Sequence, residues 1–593
     1  MIGVVRSIAG MVAERVDDVV GWHELPRSLG LVVLIGLRSR LRAHNLFDAG
    51  PHPDGPAPPP APADTRVRTI DGTYTDLDDP RMGSAGSLFG RNVAPGPCAR
   101  PEAPDAVVGG PSPRLVSRQL LARDDFRPAT SLNLLAAAWI QFEVHDWMSH
   151  FDATAEAPWE PELAGDDPWP QAHCPMRVNR TLSRPGTHAN PTVYPNRDTH
   201  WWDGSQIYGS EPTYADAIRE WDGGRIVLGR DGLPPVAAEE SLDPNGPIAN
   251  TWVGLALLQS LFLKEHNAIC RRLHSAYPEM TDQQLYDTAR LANTALMAKI
   301  HTVDWTPAII AHPTTVAAMR GNWFGLLGEK FGLHHGRVFD SEVLSGIPGG
   351  RTDFHGVPYS LTEDFVAVYR MHPLLPDELT IREAGSDRPK RTIGLSDLLA
   401  DDVRPTLGVE SAADLFHSFG RAHPGALDLH NFPNALRELP RPDGSLMDLA
   451  TVDILRNRER GVPRYNEFRR QLRLRPAKTF DDLTDNPKWA CELARVYDGD
   501  VEQVDLMVGL YAETRPQGFG FSDTAFRVFI LMASRRISSD RFLTVDFRPE
   551  IYTEVGMSWV RQNSMRSVLL RHFPTLAPTL ADVANPFAPW PAP

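Results

Sequence analysis

Cysteine is scarce. The 593-residue chain holds four, Cys98, Cys174, Cys270 and Cys491, scattered and never as C-x-x-C. That argues against a disulfide framework and a cysteine zinc site, and it fits a reducing compartment, so the expected location is cytoplasmic. Basic residues are outnumbered, 60 Lys and Arg against 75 Asp and Glu, for a net charge of −15. Such a balance argues against nucleic acid as a partner. Long apolar runs are missing as well. The early stretch SLGLVVLIGL at 28–37 is far short of the ~20 residues a bilayer-spanning helix needs. The N-terminus does not read as a signal peptide, because Glu14, Asp17 and Asp18 interrupt its apolar pattern. No repeat occurs at solenoid periods, and strand patterns are few and short.

Helical periodicity is what the chain has instead. Residues 1–50 read as amphipathic N-terminal helices. The 28–37 run is followed by RSRLRAH (38–44), which carries Arg38, Arg40 and Arg42. That combination suits a helix docked on the protein body, and equally one lying in a membrane interface, so residues 1–44 are a candidate peripheral membrane contact. PHPDGPAPPPAPAD (51–64) is a Pro-rich linker or loop. Residues 65–593 then read as one large, mainly α-helical domain with long loops. Helices are expected over 131–151, 250–275, 281–302, 312–334, 396–421, 481–513 and 523–536. An extended cover is expected over 65–130, irregular chain over 152–200, and a Pro-rich tail on the surface over 572–593.

Chemistry concentrates in EDFVAVYRMHPLLPD (363–377). Tyr369 and His372 are three apart, so on a helix they share a face, and Pro373 and Pro376 should end that helix. A His near a helix end can hold a metal, and a Tyr one turn back can share that metal's cofactor. A satisfied core His beside a buried Tyr would give the same spacing. Upstream, Gln141 and His145 are four apart in SLNLLAAAWIQFEVHDWMSHF, while Asp146 points elsewhere. In DTHWWDGSQIYGS (198–210), Thr199, Asp203 and Ser205 surround Gly204. These are oxygen donors suited to a hard cation such as Ca²⁺, though an Asx-type turn explains them as well.

Together these segments resemble the haem peroxidase–cyclooxygenase superfamily, and within it the fatty-acid α-dioxygenases, from about residue 20 to about 575. The strings carrying the resemblance are YRMHPLLPD, LFLKEHNAI (261–269), RNRERGVPRYNEFRR (456–470), IHTVDWT (300–306) and DFRPE (546–550). The fold it implies is a helical, cyclooxygenase-like catalytic domain. His372 matches the proximal haem ligand, His145 the distal histidine with Gln141 as its glutamine, and Tyr369 the catalytic tyrosine. Asp146, Thr199, the Trp201 carbonyl, Asp203 and Ser205 match a calcium site. His301, Thr306 and Arg548 match the group that holds the fatty-acid carboxylate. Myeloperoxidase-type enzymes carry an Asp just before the distal His; here Val144 stands there, so non-covalent haem b is expected. The growth-factor-like disulfide module of cyclooxygenases is missing.

The implied reaction explains the residue types. A peroxide activates the haem, His145 moves the proton this requires, and Tyr369 becomes a tyrosyl radical. The radical takes a hydrogen from C2 of a fatty acid whose carboxylate is held deep, and O₂ adds there to give a 2-hydroperoxy acid. Rival readings are a plain haem peroxidase, a fatty-acid oxygenase acting at another carbon as in linoleate diol synthases, and a haem-binding protein without chemistry.

Overall fold

The computed structural model describes residues 2–49, 59–188, 190–235, 251–338, 340–441 and 443–593. Most of the expected 51–64 linker lies outside them. The architecture is mainly α. Among the described residues, strands occur as four two-stranded antiparallel pairs, the longest joining β1 (Glu378–Arg382) to β2 (Pro389–Gly394).

Two helices open the chain, α1 (Ile2–Val20) and α2 (Arg27–His44). They run antiparallel and close together: a Cβ on Gly36 would sit 2.5 Å from that of Ala13. Val33, Leu34, Leu37 and Leu41 of α2 are buried against the body. Trp22, in the turn between the helices, is fully buried and its indole donates to Asp523 at 3.1 Å. Arg38 and Arg42 both reach Glu342, at 3.0 and 2.6 Å.

The centre is built by α3 (Leu134–Trp147), α4 (Val253–Ala276) and α5 (Asp282–Ile300). Residues 134–140 of α3 are all buried, as expected for a helix that is apolar on every side. A Thr281–Gln284 capping box starts α5. That helix does not stop at residue 302. Beyond Ile300 it widens into a π-type turn over His301–Trp305 and re-forms over Thr306–Ile309. Such widenings re-aim side chains and recur at functional sites. The helix expected over 312–334 is split, α6 (Pro313–Phe324) being followed by a separate segment, Glu329–His335.

Three further helices frame the site: α7 (Glu363–Val368), α8 (Leu449–Glu459) and α9 (Asp523–Ser538). The C-terminal tail does not lie on the surface. Phe587 and Trp590 are buried, and Trp590 fits against Gly420, where a Cβ would meet its ring at 2.1 Å.

Candidate functional site

Helix α7 begins at Thr362, whose hydroxyl accepts from the Phe365 N–H at 3.0 Å. It ends four residues earlier than Pro373 alone would require. Tyr369 is its C-cap (φ −92°, ψ 12°), and His372 opens a separate 3₁₀ turn with Pro373. Tyr369 and His372 are therefore separated by a break in the helix rather than set on one helical face.

Tyr369 is buried, its ring edge-on to Trp147 at 5.6 Å and 4.4 Å from Phe365. Burial pushes its phenol far up and the nearby Arg536 only partly opposes this, so the group is a neutral O–H. His372 Nδ1 lies 2.7 Å from Asp453 Oδ2, and Arg370 Nη1 lies 2.9 Å from Asp453 Oδ1. Burial opposes the charge on Asp453, but His372 and Arg370 outweigh it and hold the carboxyl below its usual range. With Nδ1–H donated to a carboxylate, Nε2 keeps the lone pair that a haem iron requires, so this donor set fits the group.

On α3, Gln141 and His145 are one turn apart as expected. Burial lowers His145 to about 4, leaving a neutral imidazole able to accept a proton.

Trp147, at the end of α3, is surrounded by His301, Trp202, Tyr369 and Arg536. His301 is buried and stacked on Trp305 at 4.7 Å; its Nδ1 accepts from the Trp139 indole at 3.1 Å. Burial, then Arg536, push this imidazole well down, so it is neutral and its proton sits on Nε2. The Thr306 hydroxyl donates to the His301 carbonyl at 2.7 Å. Arg548 stands apart from both. It is the N-cap residue of α10 (Pro549–Gln562), its side chain is 56% exposed, and it lies 3.6 Å from Asp546.

The buried cation here is Arg536. It is 1% exposed, and its guanidinium sits 4.1 Å over the Trp147 ring and 4.5 Å over that of Trp202. None of its three nitrogens meets an acceptor in hydrogen-bonding geometry, nor does the Trp147 indole N–H. Its approach to the Tyr359 hydroxyl works against the burial that pushes that phenol up. Sequence reasoning passed over Arg536, because an Arg pair near a helix C-terminus reads as cations complementing the dipole in solvent. Its charge opposes the burial that pushes the carboxyls of Asp146 and Glu143 up, yet among the described residues no carboxylate stands within 4 Å of it, so it is free to take an anionic ligand.

Behind α3, Asp146 and Asp203 are fully buried. Ser205 donates to Asp146 Oδ1 through its backbone N–H at 2.6 Å and its hydroxyl at 2.9 Å, while Oδ2 meets no donor. Burial and then Asp203 push Asp146 up to about 7. Asp203 is also pushed up by burial, against the pull of Arg290, 3.6 Å away. Trp201 is buried and stacked on Tyr359. Among the described residues no three His, Cys, Asp or Glu side chains converge on a metal position. This cluster offers two carboxylates, with hydroxyls on Thr199 and Ser205.

A helical body with a carboxylate-paired His372 and a neutral His145 defines a haem peroxidase. The animal haem peroxidase profile matches residues 67–584, and the chain belongs to that family. Within it the chain belongs with the α-dioxygenases. It is 38% identical to Alpha-dioxygenase 1 of Capsicum annuum, over 98% of this chain and 91% of that protein. It is also 38% identical to the rice protein Alpha-dioxygenase PIOX, over 96% and 93%. The crystal structure of Oryza sativa fatty acid alpha-dioxygenase, as a tyrosine-to-phenylalanine variant with palmitic acid, matches with a TM-score of 0.90 and 36% identity, covering 99% of this chain and 97% of that one.

Proposed function

We propose that this chain is a fatty-acid α-dioxygenase that forms a 2-hydroperoxy fatty acid from a fatty acid and O₂. The observation that carries this reading is the pairing of a buried, neutral Tyr369 with an acceptor-less Arg536 around one tryptophan, Trp147. Non-covalent haem b, held by His372 through Nε2, supplies the one-electron oxidation when bound. His145, neutral and with Gln141 one turn away, takes and returns the proton of the activating peroxide. Tyr369 then gives up its proton and an electron together, since a buried phenolate is disfavoured. As a radical it takes hydrogen from the nearest substrate carbon.

That carbon is C2 if the carboxylate is held beside Tyr369. Arg548 keeps the carboxylate role that the resemblance gives it, and Arg536 is added to it, joined by the Nε2–H of His301 and the Trp147 N–H. Thr306, whose hydroxyl is spent on the His301 carbonyl, shapes the π-type turn that aims this imidazole. A Ca²⁺ ion takes Asp146, Asp203, Thr199, Ser205 and the Trp201 carbonyl, and fixes the end of α3 to the 199–205 loop.

We take residues 65–593 as the single catalytic domain and residues 1–50 as helices added to it. Among the described residues no helix is long and apolar enough to cross a membrane. Helices α1 and α2 nevertheless expose Met11, Val12, Val19, Val20, Leu29 and Val32. Beneath α2 lies a narrow, partly open cleft lined by Leu34, Ile35, Met319, Phe526 and Ile530. The exposed apolar side chains support peripheral contact with a membrane by a cytoplasmic protein. O₂ uptake on adding palmitate, with no reducing co-substrate, tests the reading. A plain peroxidase would take up no O₂ with palmitate and would need added peroxide and a donor, and a haem-binding protein without chemistry would consume nothing.

A further inference from the structure

If Tyr369 is the radical site of the proposed function, its radical has a way out through the neighbouring rings. Trp147 stands edge-on to the phenol at 5.6 Å and to Trp202 at 5.7 Å. Trp201, next in the chain to Trp202, is stacked on Tyr359 at 4.5 Å, and its N–H donates to the carbonyl of the half-buried Met82 at 3.0 Å. The first step out would pass one electron from Trp147 to the Tyr369 phenoxyl. The phenoxyl would take back the proton it had released, and Trp147 would be left as a radical cation. Oxidation would then sit one ring further from the substrate carbon, on a route that leads outward.

Arg536 stands against that step. Its guanidinium, always charged, lies 4.1 Å over the Trp147 ring and 4.5 Å over that of Trp202. A cation over an indole face is attracted to the neutral ring and repels the oxidised one. Trp147 is 1% exposed and Trp202 2%, so little solvent screens the repulsion. The Trp147 N–H meets no acceptor, so an oxidised Trp147 would keep its proton and its positive charge. The Tyr369 phenoxyl is neutral, and the same cation costs it little. We propose that Arg536 is a positioning residue for the oxidation itself: its charge over Trp147 and Trp202 keeps the radical on Tyr369 while the site waits for substrate. A bound fatty acid ends the wait, because hydrogen transfer to Tyr369 then becomes the open path.

The test treats haem-loaded protein with peroxide and no fatty acid, so that any change in fatty-acid affinity is silent. In wild type, freeze-quenched high-field EPR should show a tyrosyl radical that Tyr369→Phe removes, and no tryptophanyl radical. Arg536→Gln keeps a polar chain but removes the charge. It should show a tryptophanyl signal, a tyrosyl lifetime shorter by about tenfold or more, and oxidised Trp147 or Trp202 in peptide mass spectra. Arg536→Lys should restore the wild-type pattern, and adding Trp147→Phe to Arg536→Gln should close the route and lengthen the tyrosyl lifetime again. An Arg536→Gln protein with full haem and the wild-type radical would overturn the proposal alone. Should that variant not fold, wild type still decides, because a tryptophanyl radical or oxidised Trp147 in the intact protein rules against a guard. If Tyr369→Phe keeps the wild-type tyrosyl signal, the radical assignment falls and the proposal falls with it.

Discussion

The two sides of Tyr369 treat buried charge in opposite ways. Toward His372, charges are answered: Asp453 by His372 and Arg370, Arg458 by Asp505 at 2.7 Å, Arg91 by Asp364 at 3.1 Å. Toward Trp147 they are not. Arg536 has no hydrogen-bond partner and, among the described residues, no ion pair within 4 Å, whereas both oxygens of Asp453 stand in ion pairs, although Oδ1 meets Arg370 outside hydrogen-bonding geometry. An answered charge orients its neighbour; an unanswered one costs stability until a ligand supplies the partner. The first side therefore holds, and the second binds.

The comparison breaks most completely at Tyr369 itself. Tyr369→Phe preserves the packing on Trp147 and Phe365 but removes the O–H. Fatty-acid oxygenation should fall to background while haem content and peroxide reactivity persist; an active Phe variant would remove Tyr369 from the mechanism. Arg536→Ala comes next. Losing one charge-assisted partner, about 1.5–3 kcal/mol, should weaken fatty-acid binding roughly 10- to 150-fold. Arg548→Ala, measured alongside by equilibrium titration, should weaken binding too, and the larger loss marks the arginine that bears the carboxylate.

The calcium site predicts a smaller effect, on stability. An ion at a hundredfold excess over its Kd adds about 2.7 kcal/mol. Chelation should therefore lower the melting temperature of the wild type, and Asp203→Ala should no longer respond to it. A wild type indifferent to chelation contradicts the site.

The smallest effect concerns the docking of α2. Burial opposes the charge on Glu342, yet Arg38 and Arg42 overcome it and lower the carboxyl to about 2. Its contribution is thus fully present above the ordinary carboxylate value and is lost as pH falls toward 2. At pH 7, Glu342→Gln should speed amide exchange in residues 27–44, and the gap from wild type should narrow below about pH 4. A gap that stays constant with pH would mean the pair does not fasten the helix.

Much of this was legible in the sequence. Helix α3 follows from its unbroken apolar run, and the Gln141–His145 pairing from helical spacing. The mainly α architecture followed from helical periodicity, and the haem from ordered strings such as YRMHPLLPD. What was not legible depends on packing. The helix break at Tyr369 leaves no local signal beyond Pro373. Asp453 stands three residues before the RNRERG string, where its partner is set by how α8 approaches His372. Arg536 becomes special only because Trp147 and Trp202 close over it, and Trp590 is buried only because Gly420 leaves it room.

The central claim is that the unpaired side of Tyr369 holds a fatty-acid carboxylate so that C2 faces the radical. Mass spectrometry of the products formed from palmitate under ¹⁸O₂ tests it most directly. The account predicts two ¹⁸O atoms on C2 of a 2-hydroperoxy acid, together with the aldehyde one carbon shorter that its decarboxylation leaves. Oxygen incorporated along the chain away from C2, or palmitate returned unchanged by haem-replete protein, would contradict it.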